Sequence, residues 1–384
     1  MRILLVEGSG RGFLNQYAHA LALGLHEQGH EVDLVTGRRD ELAGWSVPFR
    51  KRACLPDGIT AWLCLAREVA RWRPQVVHLQ WVNNPWAALL FVRWARARGV
   101  HVVYTPHNLL PHRGRWLLMP AYRALYGAVD RIIARDRHIA WGLEELLGVA
   151  NQQVVSIPGS PNLVAHPDAP RRAIEGLAAR EEGEFRLLFF GHGCRRKGLR
   201  LLLRWLASRR WPCALHLVVA GEGVLASIAP EALEALSGRV KVSVISRYVE
   251  PEEVPELFAQ ADLLLMPYIK QCKSPLTDLA AGFGLPVLRS DRVEGAWFVE
   301  GRHGLTLPHD DPGAWIETLS LLAAERWRLE PLRDKLAKEE SVPHAVSRLA
   351  QSHDALYRSL APEHSAAPEA SWGWGALKAG GEGV

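Results

Sequence analysis

Apolar and polar positions follow two alternating periods along this chain. Short, nearly unbroken apolar runs give way to stretches where apolar residues recur every three or four positions. Arg2–Val6, Glu31–Val35, Val76–Leu79, Val100–Tyr104, Arg131–Ala134 and Gln153–Ile157 are of the first kind and read as strands buried on both faces. Phe13–Gln28, Ile59–Arg73, Pro85–Ala97, Tyr122–Val129 and Ile139–Leu147 are of the second kind and read as helices, several of them stopped by Gly29, Pro74 and Gly99. Residues 38–58 show neither period and are expected to be irregular. The alternation restarts at Phe185. Arg186–Phe190, Leu215–Ala220, Val240–Ile245, Leu263–Met266 and Pro286–Leu288 read as strands, with helices between them, and Trp315–Ala323 and Val346–Leu360 as further helices.

Strands alternating with helices call for parallel sheets covered on both faces. The fold class is α/β, with two Rossmann-like domains facing across a cleft. Residues 1–157 form the first domain and 185–345 the second. Between them, residues 158–184 carry Pro158, Pro161, Pro167 and Pro170 and read as a linker. Residues 346–361 are a terminal helix. Residues 362–384, rich in Ala, Gly, Ser and Glu, are expected to be a disordered tail. Ligands of such sheets sit beyond the carboxyl ends of the strands, so the cleft is the expected site.

Composition narrows this picture. The chain has 384 residues, long for one core and comfortable for two. Its net charge is +5, and its arginines are scattered along the sequence without a single basic stripe interleaved with aromatics. Nucleic acid is therefore not the expected partner, whereas an anionic lipid or an anionic sugar nucleotide suits the charge. The cysteines, Cys54, Cys64, Cys194, Cys213 and Cys272, form no CxxC pair, so neither zinc nor a disulfide framework is suggested. No secretory signal and no apolar run of spanning length are present, which leads to a cytoplasmic expectation. The Arg and Trp content of the first half adds peripheral attachment to the inner membrane surface.

The strongest chemical signal is Leu187–Gly198, LLFFGHGCRRKG. A strand runs into a loop with Gly191 and Gly193, then Arg195, Arg196 and Lys197, then a helix. Such a loop places backbone N–H groups and cations around a phosphate. The plain alternative is a solvated charge cluster, but cations at a helix N-terminus are opposed by its dipole, a conflict that a bound anion removes. Gly8-Ser9-Gly10-Arg11-Gly12 after the first strand is weaker. Phe13 stands where a dinucleotide fingerprint has its third glycine, and no acid closes the second strand; Asp40 comes late. Gly10 and Gly12 are candidates to admit a sugar or phosphate, or they make a tight turn only.

His107 and His112 lie on a loop after the strand ending at Tyr104. Each is a candidate to hydrogen-bond a sugar or take a proton from an acceptor hydroxyl; the alternatives are an imidazole satisfied by loop backbone, or a metal pair with no third ligand nearby. Trp81, closing the strand with His78, is a candidate acceptor-pocket residue, or simply core. In the loop Pro267–Thr277, Ser274 and Thr277 suit the cap and first turn of a helix. With Gln271 they are candidates for a ribose, the donor sugar or a second phosphate. No DxD pair occurs, so no metal-chelated diphosphate and no metal site are expected.

These stretches resemble the two-domain GT-B glycosyltransferases, most closely the retaining family-four group of bacterial polysaccharide enzymes. The resemblance rests on GHGCRRKGLRLLLRWL, VVAGEGV, YVEPEEVPELFAQADLLLMPY, YTPHNLLPH and GFGLPVLRSD, in order over residues 1–361. It implies transfer of a sugar from a nucleotide-sugar donor, held mainly on the second domain, to a glycan or lipid-linked glycan on the first. No other cofactor is implied. Lys197 falls on the family's phosphate lysine, His107 on the histidine beside the transferred sugar, and Gly8–Gly12 on the loop touching donor phosphate. The terminal helix, ending DALYRSL, resembles the one that crosses back to the first domain.

There are departures. The family's two glutamates, eight apart, fall on Gln271 and Leu279. Its phosphate-loop arginine falls near His192 or Cys194, with Arg195 as a substitute, and its IPHG turn is Ile157-Pro158-Gly159-Ser160. A catalytically degenerate, donor-binding partner protein is therefore a second reading. A sugar-nucleotide epimerase or a dehydrogenase is a third.

Overall fold

The computed structural model describes residues 1–80, 82, 84–111, 115–294, 298–339 and 341–361. The strands are β1 (Arg2–Glu7), β2 (Glu31–Gly37), β3 (Arg50–Leu55), β4 (Val76–Leu79), β5 (His101–Tyr104), β6 (Arg131–Ala134), β7 (Val154–Ser156), β8 (Phe185–Phe190), β9 (Leu215–Ala220), β10 (Lys241–Ile245), β11 (Leu263–Met266), β12 (Cys272–Lys273), β13 (Val287–Ser290), β14 (Val293–Glu294) and β15 (Gly304–Leu307). The helices are α1 (Phe13–Glu27), α2 (Thr60–Trp72), α3 (Pro85–Arg96), α4 (Arg115–Ala128), α5 (Arg137–Trp141), α6 (Leu199–Ala207), α7 (Pro230–Glu234), α8 (Val254–Ala259), α9 (Leu276–Gly282), α10 (Pro312–Ala324), α11 (Glu330–Glu339) and α12 (Val342–Leu360).

Two parallel sheets organise the chain. The first has seven strands in the order β3-β2-β1-β4-β5-β6-β7; the second has six, β10-β9-β8-β11-β13-β15. Alternation along each strand feeds two helical layers. In β1, Leu4 and Val6 face the layer of α2, α3 and α4, whereas Ile3 and Leu5 face α1 and α12. In β8, Leu188 faces α8 and α9, and Leu187 and Phe189 face α6 and α10.

Two expectations need correction, and one strand was not read in the sequence. Residues 38–58 are not wholly irregular, because they contain the edge strand β3. Its sequence, RKRACL, opens on three cations, so it shows no apolar run. It pairs only with β2, and its charges are used laterally: Lys51 donates to the Leu42 and Trp45 carbonyls, and Arg52 pairs with Asp33 and Glu68. The helix expected from Tyr122 begins at Arg115, with Pro120 accommodated inside it. The strand β15 was hidden because its first residue, Gly304, is squeezed against the Val287 carbonyl, where an added Cβ would lie 1.8 Å from the oxygen.

The last helix, α12, leaves the second sheet's layer and lies along α1. Gly24 permits the approach: a Cβ there would stand 2.8 Å from both Ala350 Cβ and Val346 Cγ1. Beyond that contact, His30 Nε2 meets Asp354 Oδ1 at 2.8 Å. Tyr357 Oη is 2.6 Å from His78 Nδ1 on β4, and His78 Nε2 is 2.7 Å from Thr105 Oγ1 just past β5. The His353 ring lies tilted beside that of His78, with centroids 5.6 Å apart.

Two outcomes follow for stability. Gly24→Ala gains about 1 kcal/mol of helix propensity but overpacks the seam by roughly 1–3 kcal/mol. The net expectation is a lower midpoint of the first calorimetric transition, by about 2–4 °C; an unchanged or higher midpoint would refute the close packing of α12 on α1. The buried histidines set the pH dependence. Burial lowers the pKa of His19 and of His353 to about 4, and that of His78 well below the ordinary range. Their folded pKa values lie below the unfolded value of about 6.5, so the unfolded chain binds the protons. Their stabilisation is therefore complete above about pH 6.5 and lost as pH falls towards 4, by up to roughly 1.4 kcal/mol per histidine per pH unit. Glu7 and Glu41, whose burial raises their pKa, act in the opposite sense. The expected balance is a melting midpoint that drops from pH 7 to pH 5, and a flat profile over that range would count against it.

Candidate functional site

The two sheets turn their carboxyl edges towards one another, and loops from both meet across the cleft. The Tyr248 hydroxyl, past β10, donates to Glu41 Oε2, and the Arg11 guanidinium sits 3.9 Å above the Tyr248 ring. The Trp45 indole N–H donates to Glu252. Lys273 Nζ lies 2.8 Å from Asp136 Oδ2.

On the first side, β1 ends in Glu7, which is fully buried. Its carboxylate accepts the Ser9 amide at 2.9 Å and the Gly10 amide at 2.7 Å. The Gly12 amide donates to Glu41 Oε1 at 2.9 Å. Both glycines have positive φ, 66° at Gly10 and 73° at Gly12, a conformation that favours glycine. The amides that the sequence offers to a phosphate thus hold carboxylates of their own domain. Burial raises the pKa of both acids. Glu41 also accepts from Gln16 Nε2 at 2.9 Å, which makes it the pivot between the glycine turn and Tyr248.

On the second side, the loop after β8 packs against the loop after β9. A Cβ on Gly221 would lie 2.3 Å from the Gly191 carbonyl oxygen, and one on Gly193 would lie 2.2 Å from that of Gly223. Gly198, at φ 75°, closes a short 3-10 turn formed by Arg195, Arg196 and Lys197. The Arg196 carbonyl accepts from Ile269 N at 2.9 Å, which ties this turn to the loop after β11. Arg195 and Arg196 are exposed. Lys197 points inward, with Nζ against Gly191 and 5.9 Å from the Tyr268 ring centroid. Burial lowers its pKa. Among the described residues no carboxylate pairs with it.

The loop after β11 departs from the sequence reading. The cap position of α9 is Pro275, with no side-chain hydrogen bond. Ser274 stands one residue earlier, its Oγ 3.2 Å from Tyr268 Oη. Thr277 is buried and turned back to the Ser274 carbonyl at 3.4 Å. Gln271 is exposed, whereas Leu279 is only 5% exposed and belongs to the core. Trp81 and His112 lie outside the described residues.

His107 lies past β5. Arg135, the residue directly after β6, donates from Nη1 to its Nδ1 at 2.8 Å. Since a guanidinium only donates, Nδ1 is the acceptor and the ring proton sits on Nε2. Nε2 is buried and meets no hydrogen-bond partner among the described residues. Burial, and then the Arg135 charge, hold the His107 pKa well below the ordinary range. Arg135 itself lies 4.5 Å above the Tyr17 ring and has no carboxylate partner among the described residues. Its neighbour Asp136 reaches across to Lys273. Arg135 and Glu41 were missed in the sequence. Arg135 carried a readable signal, a cation at the carboxyl end of a parallel strand. Glu41 carried none, because its role depends on a residue 207 positions away.

Two family models match in tandem: Glycosyltransferase Family 4 over residues 14–163, and Glycosyl transferases group 1 over residues 184–325. Among curated proteins, the D-inositol 3-phosphate glycosyltransferase of Corynebacterium urealyticum is 28% identical over 313 residues, 73% of this chain and 70% of that protein. The protein of the same name from Nocardia farcinica is 25% identical over 360 residues, 83% of this chain and 78% of that one. Two solved structures share the fold. Anabaena Alr3699/HepE in complex with UDP superposes with a TM-score of 0.65 at 13% identity, covering 92% of this chain and all of that one. Sucrose-phosphate synthase from Thermosynechococcus elongatus gives 0.64 at 18% identity, covering 94% and 100%.

The Arg135–His107 pair is open to nitrogen NMR. His107 is expected to hold its proton on Nε2 at pH 7 and to stay neutral at pH 5. In Arg135→Met the donor to Nδ1 and the repelling charge both go, so the His107 pKa should rise. A wild-type His107 that protonates near pH 6.5, or a pKa unmoved by the substitution, would contradict the assigned tautomer.

Proposed function

We propose, from the premise that the chain belongs to the two-domain GT-B glycosyltransferases of family four, that it moves a sugar from a nucleoside-diphosphate donor to an acceptor hydroxyl. The observation that carries this reading is a pair of cations without carboxylate partners among the described residues. Lys197 stands on the second domain's glycine-paired loop, and Arg135 stands beside His107 on the first. Holding an unpaired cation out of water is costly, and a diphosphate between the domains would offset that cost.

In the reaction, the bond from the sugar's anomeric carbon to the diphosphate oxygen breaks. A bond from that carbon to the acceptor oxygen forms, and the acceptor proton leaves with the phosphate. Lys197, with Arg195 at the mouth of the loop, takes up the charge growing on the leaving diphosphate. One lost donor in such a role costs about 3–4 kcal/mol of barrier. The His107 ring donates Nε2–H to a sugar hydroxyl and orients it. Because Nδ1 is held by Arg135, the ring is a donor at the cleft and takes no proton, which favours transfer with retention over base-assisted inversion. The absence of a DxD pair from the sequence favours a route without metal. A uridine diphosphate sugar is the first donor to test, since the similar Anabaena protein carries UDP. The acceptor is a glycan or a lipid-linked glycan; the name of the curated relatives adds a phosphorylated inositol.

The second reading, a donor-binding protein without turnover, is favoured by Gln271 and Leu279 where the family carries glutamates, and by Glu7 and Glu41 on the amides of the glycine turn. A thermal-shift panel of nucleotides and nucleotide sugars, followed by an assay of nucleotide release, separates the two. A ligand at about 100 times its Kd should add roughly 2.7 kcal/mol, a shift of several degrees. A selective shift lost in Lys197→Ala supports the donor site. Acceptor-dependent release of nucleoside diphosphate supports transfer, whereas binding without release leaves the second reading. No shift with any nucleotide overturns both.

A further inference from the structure

The bond to His107 uses only part of what the Arg135 guanidinium offers. Arg135 is half-buried at the carboxyl end of β6. Its Cζ lies 4.5 Å from the Tyr17 ring centroid and 6.0 Å from that of Phe13, both on α1. Nη1 is engaged by His107 Nδ1. Nε is buried and meets no hydrogen-bond partner among the described residues, and Nη2 has none there either. Nε–H and one Nη2–H lie parallel on one edge of the group, a spacing that matches the two oxygens of a carboxylate. The chain uses this edge elsewhere: Arg52 Nε and Nη2 donate to the two Asp33 oxygens at 3.2 and 2.6 Å.

No described carboxylate of the chain fills that edge at Arg135. Asp136, the next residue, is turned away: it accepts the Ile139 amide at 2.8 Å and holds Lys273 at 2.8 Å. Glu7 and Glu41 are taken by the amides of the glycine turn. Tyr17, His107 and His353 feel the Arg135 charge, and all three are neutral at pH 7, because burial raises the pKa of the first and lowers those of the other two. His107 Nε2–H, also buried and without a hydrogen-bond partner among the described residues, adds a further donor. The place beside His107 thus offers donors and a positive charge, and the described residues supply neither an acceptor nor a counter-charge for them.

We propose that the sugar this protein moves is a uronic acid, whose carboxylate is received by Arg135 through Nε and Nη2. The inference rests on the transfer reading, which puts the sugar beside His107 and the diphosphate against Lys197. The donor is then a nucleoside-diphosphate hexuronate with two separate anions. The diphosphate meets the second wall of the cleft, and the carboxylate meets the first. A neutral hexose presents a hydroxyl at the same place; it accepts one bond and leaves the guanidinium charge unanswered, so the site discriminates against it. The carboxylate keeps all its atoms. The bonds that break and form are those at the anomeric carbon.

The test is calorimetric titration of the full chain with paired nucleotides: UDP-glucuronate against UDP-glucose, and GDP-mannuronate against GDP-mannose, with UDP and GDP alone as references. In one pair the uronate is expected to bind about tenfold or more tighter than its neutral partner. Arg135→Met should bring that ratio to about one while the parent nucleoside diphosphate still binds. Arg135→Lys should restore only part of the ratio, since an ammonium lacks the parallel edge. Lys197→Ala should weaken both members of the pair alike and leave the ratio in place. Where the methionine variant fails to fold, the wild-type ratio and the lysine variant decide. A neutral sugar bound as tightly as its uronate overturns the inference and leaves the transfer reading standing. The same holds if Arg135→Met weakens UDP, UDP-glucose and UDP-glucuronate by one common factor, which would put Arg135 on the diphosphate. No binding of any nucleotide overturns the transfer reading and this inference with it.

Discussion

The cleft depends on the seam where α12 lies along α1. Gly24 lets the two helices touch at backbone distance, and the contact does more than fasten the chain's end. From the same helix, Tyr357 reaches His78 in the strand next to β1, and His78 reaches Thr105 two residues before His107. One hydrogen-bonded line thus runs from a helix that begins on the second domain to the strand ends that carry the candidate site. His78 is fully buried, and the His353 and His107 rings near it oppose its protonation further, so the line works through a neutral imidazole. The position of the two sheets and the position of His107 are therefore set by the same contacts.

The electrostatics of the two cleft walls are unequal. On the first wall, amides of the glycine turn already answer to Glu7 and Glu41. On the second, the glycine-paired loop carries Lys197 with no carboxylate partner among the described residues. An anion entering the cleft meets its strongest attraction from the second wall. From the first it meets Arg135, which likewise has no carboxylate partner among the described residues. Glu41 stands between the outcomes, since it holds Gly12 and Tyr248 at once. A phosphate arriving at Gly12 would compete with this carboxylate, which also accepts from the Tyr248 hydroxyl.

The legible parts of the chain were those where one local rule decides. Unbroken apolar runs marked the interior strands, because a strand with helices on both faces has no polar side. The loop at Lys197 was legible because glycine pairs, cations and a following helix occur together within a dozen residues. Edge strand β3 was not, since its polar residues pair sideways with Asp33 and Glu68 and leave no periodic trace. Ser274 misled because a serine just before a helix usually takes the cap position, whereas here Pro275 takes it; Thr277 lies in the first turn, as its place in the sequence suggests, but is buried. Arg135 and Glu41 act through partners brought near only by the tertiary fold.

The borders of the first domain are put to separate uses. The carboxyl edge of its sheet faces the second domain across the cleft. The α1 face is covered by α12. The layer of α2, α3 and α4 remains, and its contacts with the sheet involve neither the seam nor the bridges at Tyr248 and Lys273.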